Sequence, residues 1–107
     1  MVYEERFTDD ELAKIISEGL IYMCACPAQV ADTIRKVRDL HRYQMNCLKN
    51  PENDHTVHST IAATAAVTHS QLQDCMDEIL ILEKWDRQTL QMPADLRVKQ
   101  LKEITSD

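Results

Sequence analysis

The stretch VADTIRKVRDLHRYQMNCLKNPEND, residues 30–54, decides the fold. Its apolar positions, together with one histidine, recur every three or four residues, which is the period of one face of an α-helix. The stripe consists of Val30, Ile34, Val37, His41, Met45 and Leu48. Pro27 suits the first position of a helix, and the polar segment 49–54 is typical of a short turn. The sequence therefore predicts a helix from Pro27 to about Leu48, with a break in the chain at Cys26.

A second helix is predicted before this stretch. Thr8 and Glu11 form a T-x-x-E capping box, with Phe7 and Leu12 at the two positions of a hydrophobic staple. In a capping box, each side chain accepts a hydrogen bond from a backbone N–H that the helix start leaves free. The first helix should therefore begin at Thr8.

A long helix is predicted after the turn, from Asp54 or Thr56 to about Arg87, with a kink near His69 as an open alternative. Its predicted inner face comprises Val57, Ile61, Ala65, Thr68, Leu72, Cys75, Met76 and Ile79. A short fourth helix is expected to begin at Pro93. Short connections make sequential helices antiparallel neighbours, so we expect an all-α fold. Its form is an antiparallel bundle of three long helices plus a short C-terminal helix, in a single domain spanning residues 1–107.

Composition limits the classes of function. One glycine and three prolines in 107 residues are too few for a chain rich in hairpins. A net charge of −6 makes nucleic acid an improbable partner, because nucleic-acid binders are usually basic. The N-terminus lacks the basic start and apolar core of a signal peptide, and the longest apolar run, 19–28, is too short to span a bilayer. We therefore expect a cytoplasmic protein with reduced thiols and no membrane contact.

Three cysteines form the first candidate site. Cys26, placed at the start of the second helix, would lie at the positive end of the helix dipole, which favours thiolate. Cys24 is close by in sequence. If the second and third helices pair antiparallel about the turn, Cys75 lies at nearly the same height along the bundle axis as Cys26. Thiolates suit a soft metal ion such as copper(I), zinc or the iron of an iron–sulfur cluster. The opposing interpretation, which is favoured, is that these are buried free cysteines acting as small hydrophobes.

Cys47, His55 and His58 form a second candidate metal site. The two histidines are one helical turn apart, and Cys47 lies across the turn from them. Three ligands with an open position are typical of catalytic zinc. The favoured alternative is two solvated histidines beside an edge cysteine.

His41 and Met45 are candidates for a ligand pocket, because His41 interrupts an apolar stripe and should face the small residues Thr64, Ala65 and Thr68. The alternative is a core histidine that hydrogen-bonds Thr64 or Thr68.

A basic stripe on the second helix is the candidate partner surface. Its members are Arg35, Arg38, Arg42 and Lys49. Such a ridge on an acidic chain could dock an acidic protein, or it could be neutralised within the chain by Asp9, Asp10 and Glu11 or by Asp77 and Glu78.

These observations favour a small helical interaction or regulatory module without catalytic activity and with no predicted cofactor. The third helix is apolar on more than one side and needs to be covered. We therefore expect a homodimer; the alternative is a monomer whose third helix is covered within its own chain. The alternative function is a thiol-based metal-binding or redox protein that uses Cys24, Cys26 and Cys75.

Overall fold

The protein folds into three α-helices. The structure, a computed structural model, describes residues 3–21 and 25–93. Helix α1 spans Asp9–Ile21, α2 spans Ala25–Cys47 and α3 spans His55–Leu82. Within those residues there is no strand, so the all-α prediction is confirmed. The fourth helix predicted from Pro93 lies outside the described residues, apart from Pro93 itself. None of the three helices combines the length and apolarity that crossing a bilayer requires.

The start of α1 is fixed by the capping box that the sequence predicts. The Thr8 backbone N–H donates to Glu11 Oε1 over 2.9 Å, and the Glu11 N–H donates to Thr8 Oγ1 over 3.0 Å. Phe7 and Leu12 are both fully buried, as a hydrophobic staple requires. The capping box thus directs the polypeptide from an N-terminal strap, residues 3–8, into α1.

The break predicted at Cys26 is wrong. Helix α2 begins at Ala25 and runs through Cys26 and Pro27. Proline is tolerated in the first turn of a helix, because the N–H groups there have no partner within the helix. Cys26 is therefore an exposed residue inside the first turn, not the cap that the sequence analysis places there.

Helices α2 and α3 form an antiparallel hairpin. Asp54 caps α3 by accepting a hydrogen bond from the Val57 N–H over 3.1 Å. Contacts between the two helices pair Gln44 with His58 near the turn and Arg38 with His69 farther along, as antiparallel helices require. Helix α3 continues through His69, so the kink left open by the sequence is absent.

Helix α3 ends five residues before the predicted position, at Leu82 rather than Arg87. The Trp85 N–H donates to Leu80 O over 2.9 Å and the Lys84 N–H donates to Ile81 O over 3.0 Å, which is a Schellman motif. Lys84 adopts the left-handed conformation, with φ 60°. Glycine is the usual residue at this position. Because position 84 is a lysine, the sequence carries no signal for this helix end.

The core lies where α1, α2, α3 and the segment 85–92 meet. Helix α1 packs along α2, and the segment after α3 turns back to join them. The Met92 N–H donates to Glu18 Oε1 of α1 over 3.1 Å. The core comprises Phe7, Leu12, Ile15, Ala31, Ile34, Met76, Leu80, Trp85, Leu90 and Met92.

The predicted inner faces of α2 and α3 are partly wrong. Ile34, Ala65 and Met76 are buried as expected, but Met45 and Val57 are about half exposed. Polar side chains take inner positions instead: Arg38 on α2, and His69 and Gln73 on α3. Helix α3 is apolar on several sides, so its sequence pattern does not single out one buried face.

Candidate functional site

Arg38 is the centre of a buried polar cluster and is fully inaccessible to solvent. Its Nε–H donates to His69 Nε2 over 2.8 Å, and its two terminal nitrogens reach Asp9 Oδ1 at 2.9 Å and Gln73 Oε1 at 3.1 Å. It also donates to the main-chain oxygen of Phe7. Buried charges persist where such partners exist, so this cluster joins α2 and α3 to the strap.

Gln73 completes the attachment of the strap. Its side-chain oxygen accepts from the Arg6 N–H over 2.7 Å, and its amide nitrogen donates to Glu4 O over 2.7 Å. Arg6 in turn pairs with Asp74 at 2.7 Å and Asp77 at 3.1 Å on the surface of α3. The strap is therefore held through both its backbone and its side chains, and the cluster has a structural role.

His69 is neutral in this cluster. Arginine is a donor only, so the Nε2 atom that accepts from Arg38 carries no proton. The ring proton is then on Nδ1, which has no hydrogen-bond partner in the part of the chain that the structure describes. Burial, followed by the nearby Arg38 charge, lowers the pKa of His69 to about 4.

His41 lies under the strap and does not line a ligand pocket with Met45. Its ring stacks on Tyr3 with centroids 3.8 Å apart and planes 9° from parallel. Burial lowers the pKa of His41, and burial followed by a hydrogen bond to Glu5 raises that of Tyr3 to about 12. The Thr68 hydroxyl donates a hydrogen bond to Thr64 O, not to His41. Met45, one helical turn farther along the same side of α2, is 46 % exposed.

The basic stripe is largely neutralised within the chain. Arg38 is buried, which removes it from any docking surface. Arg42 pairs with Glu5 at 2.7 Å and with Asp9 at 3.1 Å, and Arg35 pairs with Asp32 at 2.9 Å. Hydrogen bonds from Arg38 and Arg42 lower the pKa of Asp9 despite partial burial. Lys49 is exposed at the end of α2. The alternative of internal neutralisation therefore holds for Arg38 and Arg42 through Asp9.

The three cysteines that the structure describes are free thiols in separate settings. Cys26 and Cys75 are exposed and Cys47 is partly buried, while Cys24 lies outside the described residues. The inward placement of Cys75 is wrong, because the Arg38 cluster determines which face of α3 is buried. Among residues 3–21 and 25–93, no three metal-binding side chains are gathered at one point.

The second candidate metal set is not assembled either. His58 Nδ1 lies 2.6 Å from Gln44 Oε1, so its ring is engaged with α2. His55 is exposed at the start of α3. Cys47 is partly buried where α2 ends, and its carbonyl oxygen accepts a hydrogen bond from Asn53 across the turn.

A groove runs between α2 and α3, and its lining is almost entirely apolar or small. Its volume is about 250 Å³. The lining residues are Val37, Leu40, Thr60, Ile61, Thr64, Ala65 and Thr68. Thr64, Ala65 and Thr68 do leave open space, as the sequence indicates, but it opens beside Val37 and Leu40 rather than beside His41 and Met45.

The exposed side of α3 beside this groove carries no formal charge. Residues 55–73 contain no Asp, Glu, Lys or Arg, although the chain as a whole has a net charge of −6. Five exposed residues of α3 make up what we call the neutral face: Val57, Thr60, Thr64, Val67 and Gln71. At 100° per residue they lie within an arc of about 80°. The absence of charged residues from 55–73 can be read from the sequence, but only the structure shows that this side of α3 is exposed.

Comparison of the chain with protein-family models, with curated proteins and with solved structures gives no match. The neutral face and the groove beside it are the features of the described residues that bear on function.

Proposed function

We propose that the protein is a non-catalytic interaction module that acts as a homodimer, with the neutral face of α3 and the adjoining groove as its contact surface. One observation carries the proposal: the neutral face, a charge-free helical surface about 21 Å long, is exposed on an acidic chain. Solvated helix faces normally carry charged residues, and a helix that lacks them is usually covered.

The residue types on this face also favour packing over solvation. Val57, Thr60, Thr64 and Val67 are β-branched, and such residues are weaker helix formers than alanine or lysine by roughly 0.5 kcal/mol each. Val57 is 50 % exposed and Val67 is 38 % exposed. A face that only met water would gain from better helix formers, whereas a face that meets another helix gains from these apolar groups.

Two of the threonines that line the groove, Thr60 and Thr68, can be buried without losing hydrogen bonds. The Thr60 hydroxyl donates to Thr56 O over 2.7 Å, and the Thr68 hydroxyl donates to Thr64 O over 2.9 Å. Because these two hydroxyls already have acceptors inside α3, a second helix would leave neither donor unsatisfied. At Thr60 and Thr68 the surface is therefore effectively apolar toward a partner.

The neutral face is the surface at which a second copy of this acidic chain meets the least charge repulsion. Two molecules with a net charge of −6 repel each other, and the repulsion is smallest where they meet through surfaces without charge. Pairing the two α2–α3 hairpins places four helices together, which covers α3 on the side that α2 leaves open.

Sedimentation equilibrium tests the proposal. We expect the wild-type chain to sediment at twice 12.4 kDa at micromolar concentration. Thr64→Lys places two like charges in the contact and should weaken dimerisation at least ~100-fold, since an unpaired buried charge costs several kcal/mol. Ser59→Lys is the matched control, because Ser59 is exposed on α3 about 140° around the axis from Thr64.

The control variant should dimerise like the wild type, with unchanged helix content for both variants by circular dichroism. A wild-type chain that remains a single 12.4 kDa species at about 100 µM, well above the ~1 µM dissociation constant of a modest interface, contradicts the proposal.

A further inference from the structure

We propose that the two-fold axis of the dimer passes α3 at Thr64, so that the two α3 helices cross antiparallel in one fixed register. In this register Thr64 meets the partner's Thr64, and Thr60 meets the partner's Thr68. The inference rests on the proposed function and adds to it the geometry of the contact.

The distribution of charge supports this position of the axis. The charge-free run of α3 is bounded by Asp54 and Asp74, and Thr64 is its midpoint. A two-fold contact uses the same patch on both copies, so uncharged surface overlaps most when the midpoint lies on the axis. An axis two residues farther along would set Asp74 against His58, and one two residues earlier would set Asp54 against Ser70. Either shift brings a carboxylate over the uncharged partner surface, where its desolvation is unfavourable.

The shape of the surface supports the same position independently. The α3 residues that line the groove run from Thr60 to Thr68, and the middle of that range is again Thr64. Thr60, Thr64 and Thr68 are small and one helical turn apart, which allows two helix axes to approach to ~9 Å, within the usual range, so that Cα atoms facing each other are about 4.4 Å apart. In this register Val67 of one copy packs opposite Ile61 of the other, which joins two apolar side chains.

The ends of the contact are consistent with the register. Asp54 of one copy lies opposite Asp74 of the other, which by itself is a repulsive pair. The Arg6 guanidinium lies 2.7 Å from Asp74 and supplies a positive charge at that end. Charged groups are thus confined to the rim of the contact, as is usual for protein interfaces.

Disulfide trapping tests the register. Thr64→Cys is made in a chain whose four natural cysteines have been replaced by serine. The protein is then oxidised at a concentration where it is dimeric. A disulfide needs Cα atoms about 4.4–6.8 Å apart, which residues facing each other at a two-fold axis between close helices satisfy. We expect Thr64→Cys to form covalent dimers at least ~10-fold faster than Ser59→Cys in the same background, since Ser59 points away from the contact.

A mixed pair provides the second readout. Thr60→Cys mixed with Thr68→Cys should give the mixed disulfide as the main product, identified by mass spectrometry of the linked peptides. Peptide identification also permits the experiment with the natural cysteines in place, should the serine background fail to fold.

The outcomes separate the register from the proposed function. A wild-type dimer in which neither Thr64→Cys nor the mixed pair links faster than Ser59→Cys overturns the register and leaves the dimer standing. A wild-type chain that is monomeric in sedimentation overturns the proposed function itself, and the register with it.

Discussion

Arg38 carries a guanidinium that is completely buried between α2, α3 and the strap. Its hydrogen bonds satisfy the Phe7 carbonyl, the Nε2 atom of His69 and part of the Gln73 amide. The same residue on the surface would contribute little, because an exposed ion pair is worth at most about 1 kcal/mol. At the scale of single residues, burial turns a charged side chain into the link between three segments.

Replacing this residue should have a large effect. We expect Arg38→Met to lower the free energy of unfolding by roughly 3 kcal/mol, because it leaves buried acceptors without donors. Urea denaturation at pH 7 measures the change. The control is Arg35→Met, whose partner Asp32 is a surface residue one turn away, and which should change stability by less than ~0.5 kcal/mol. Equal losses in both variants would contradict the structural role of Arg38.

His69 should make stability depend on pH. Its pKa is about 4 in the folded chain, against 6.5 for an ordinary histidine, so the unfolded chain binds the proton more tightly. The stabilising effect is fully present above pH 6.5 and is lost as the pH falls toward 4. Over that window the loss is roughly 3 kcal/mol.

Urea denaturation between pH 7 and pH 4.5 measures this loss, with His69→Gln as the control. A glutamine oxygen can still accept from Arg38 but does not titrate in this range, so the variant should show a smaller slope. Some slope should remain, because the pKa of His41 is also lowered by burial. A variant with the full wild-type slope would show that His69 is not the titrating group.

At the scale of the elements, some helix ends can be predicted from the sequence and others cannot. The start of α1 follows from side chains that cap it, since Thr8 and Glu11 exchange hydrogen bonds with each other's backbone N–H groups. The end of α3 depends on a backbone conformation instead, with Lys84 at φ 60°. No side chain marks that position, so the predicted end was five residues too late.

This helix end offers a stabilising substitution. We expect Lys84→Gly to raise the free energy of unfolding by about 1 kcal/mol, because glycine adopts positive φ without the steric cost of a Cβ. Lys84→Ala keeps the Cβ and controls for the loss of the lysine side chain, so it should be nearly neutral. Thermal unfolding of the three proteins measures the difference. A glycine variant no more stable than the alanine variant would argue against the left-handed conformation.

At the scale of the whole molecule, one side of the α2–α3 hairpin is covered by other segments and the other side is open. One side is covered by α1, the strap and the segment 85–92, which together enclose the apolar core. The other side presents the groove and the neutral face. The molecule is elongated, with extents of 58 × 25 × 18 Å, so this second side is long enough for a partner helix.

Dimerisation should make stability depend on protein concentration. For a dimer that unfolds to two separate chains, a tenfold rise in concentration adds about 1.4 kcal/mol to its apparent stability. We expect the wild-type melting temperature to rise between about 2 and 200 µM, a range that lies above the ~1 µM dissociation constant of a modest interface. The Thr64→Lys variant should melt at one temperature throughout. A wild-type melting temperature that stays constant over this range is the contrary result.

The sequence by itself determined the helical class, the capped start of α1 and the turn between α2 and α3. Those features depend on neighbours within a few residues, namely the capping box, Asp54 and the polar segment 49–54. It also contains the charge-free run 55–73, whose position can be read without coordinates.

Only the tertiary structure decided which sides of α2 and α3 are buried. Periodicity assigns apolar residues to the inside, but here Arg38, His69 and Gln73 are inside because each finds partners on a segment distant in sequence. The same choice turns Cys75 and Val57 outward. A polar side chain can be buried when its hydrogen bonds are satisfied, and satisfaction by residues 29 to 69 positions away leaves no local signal in the sequence.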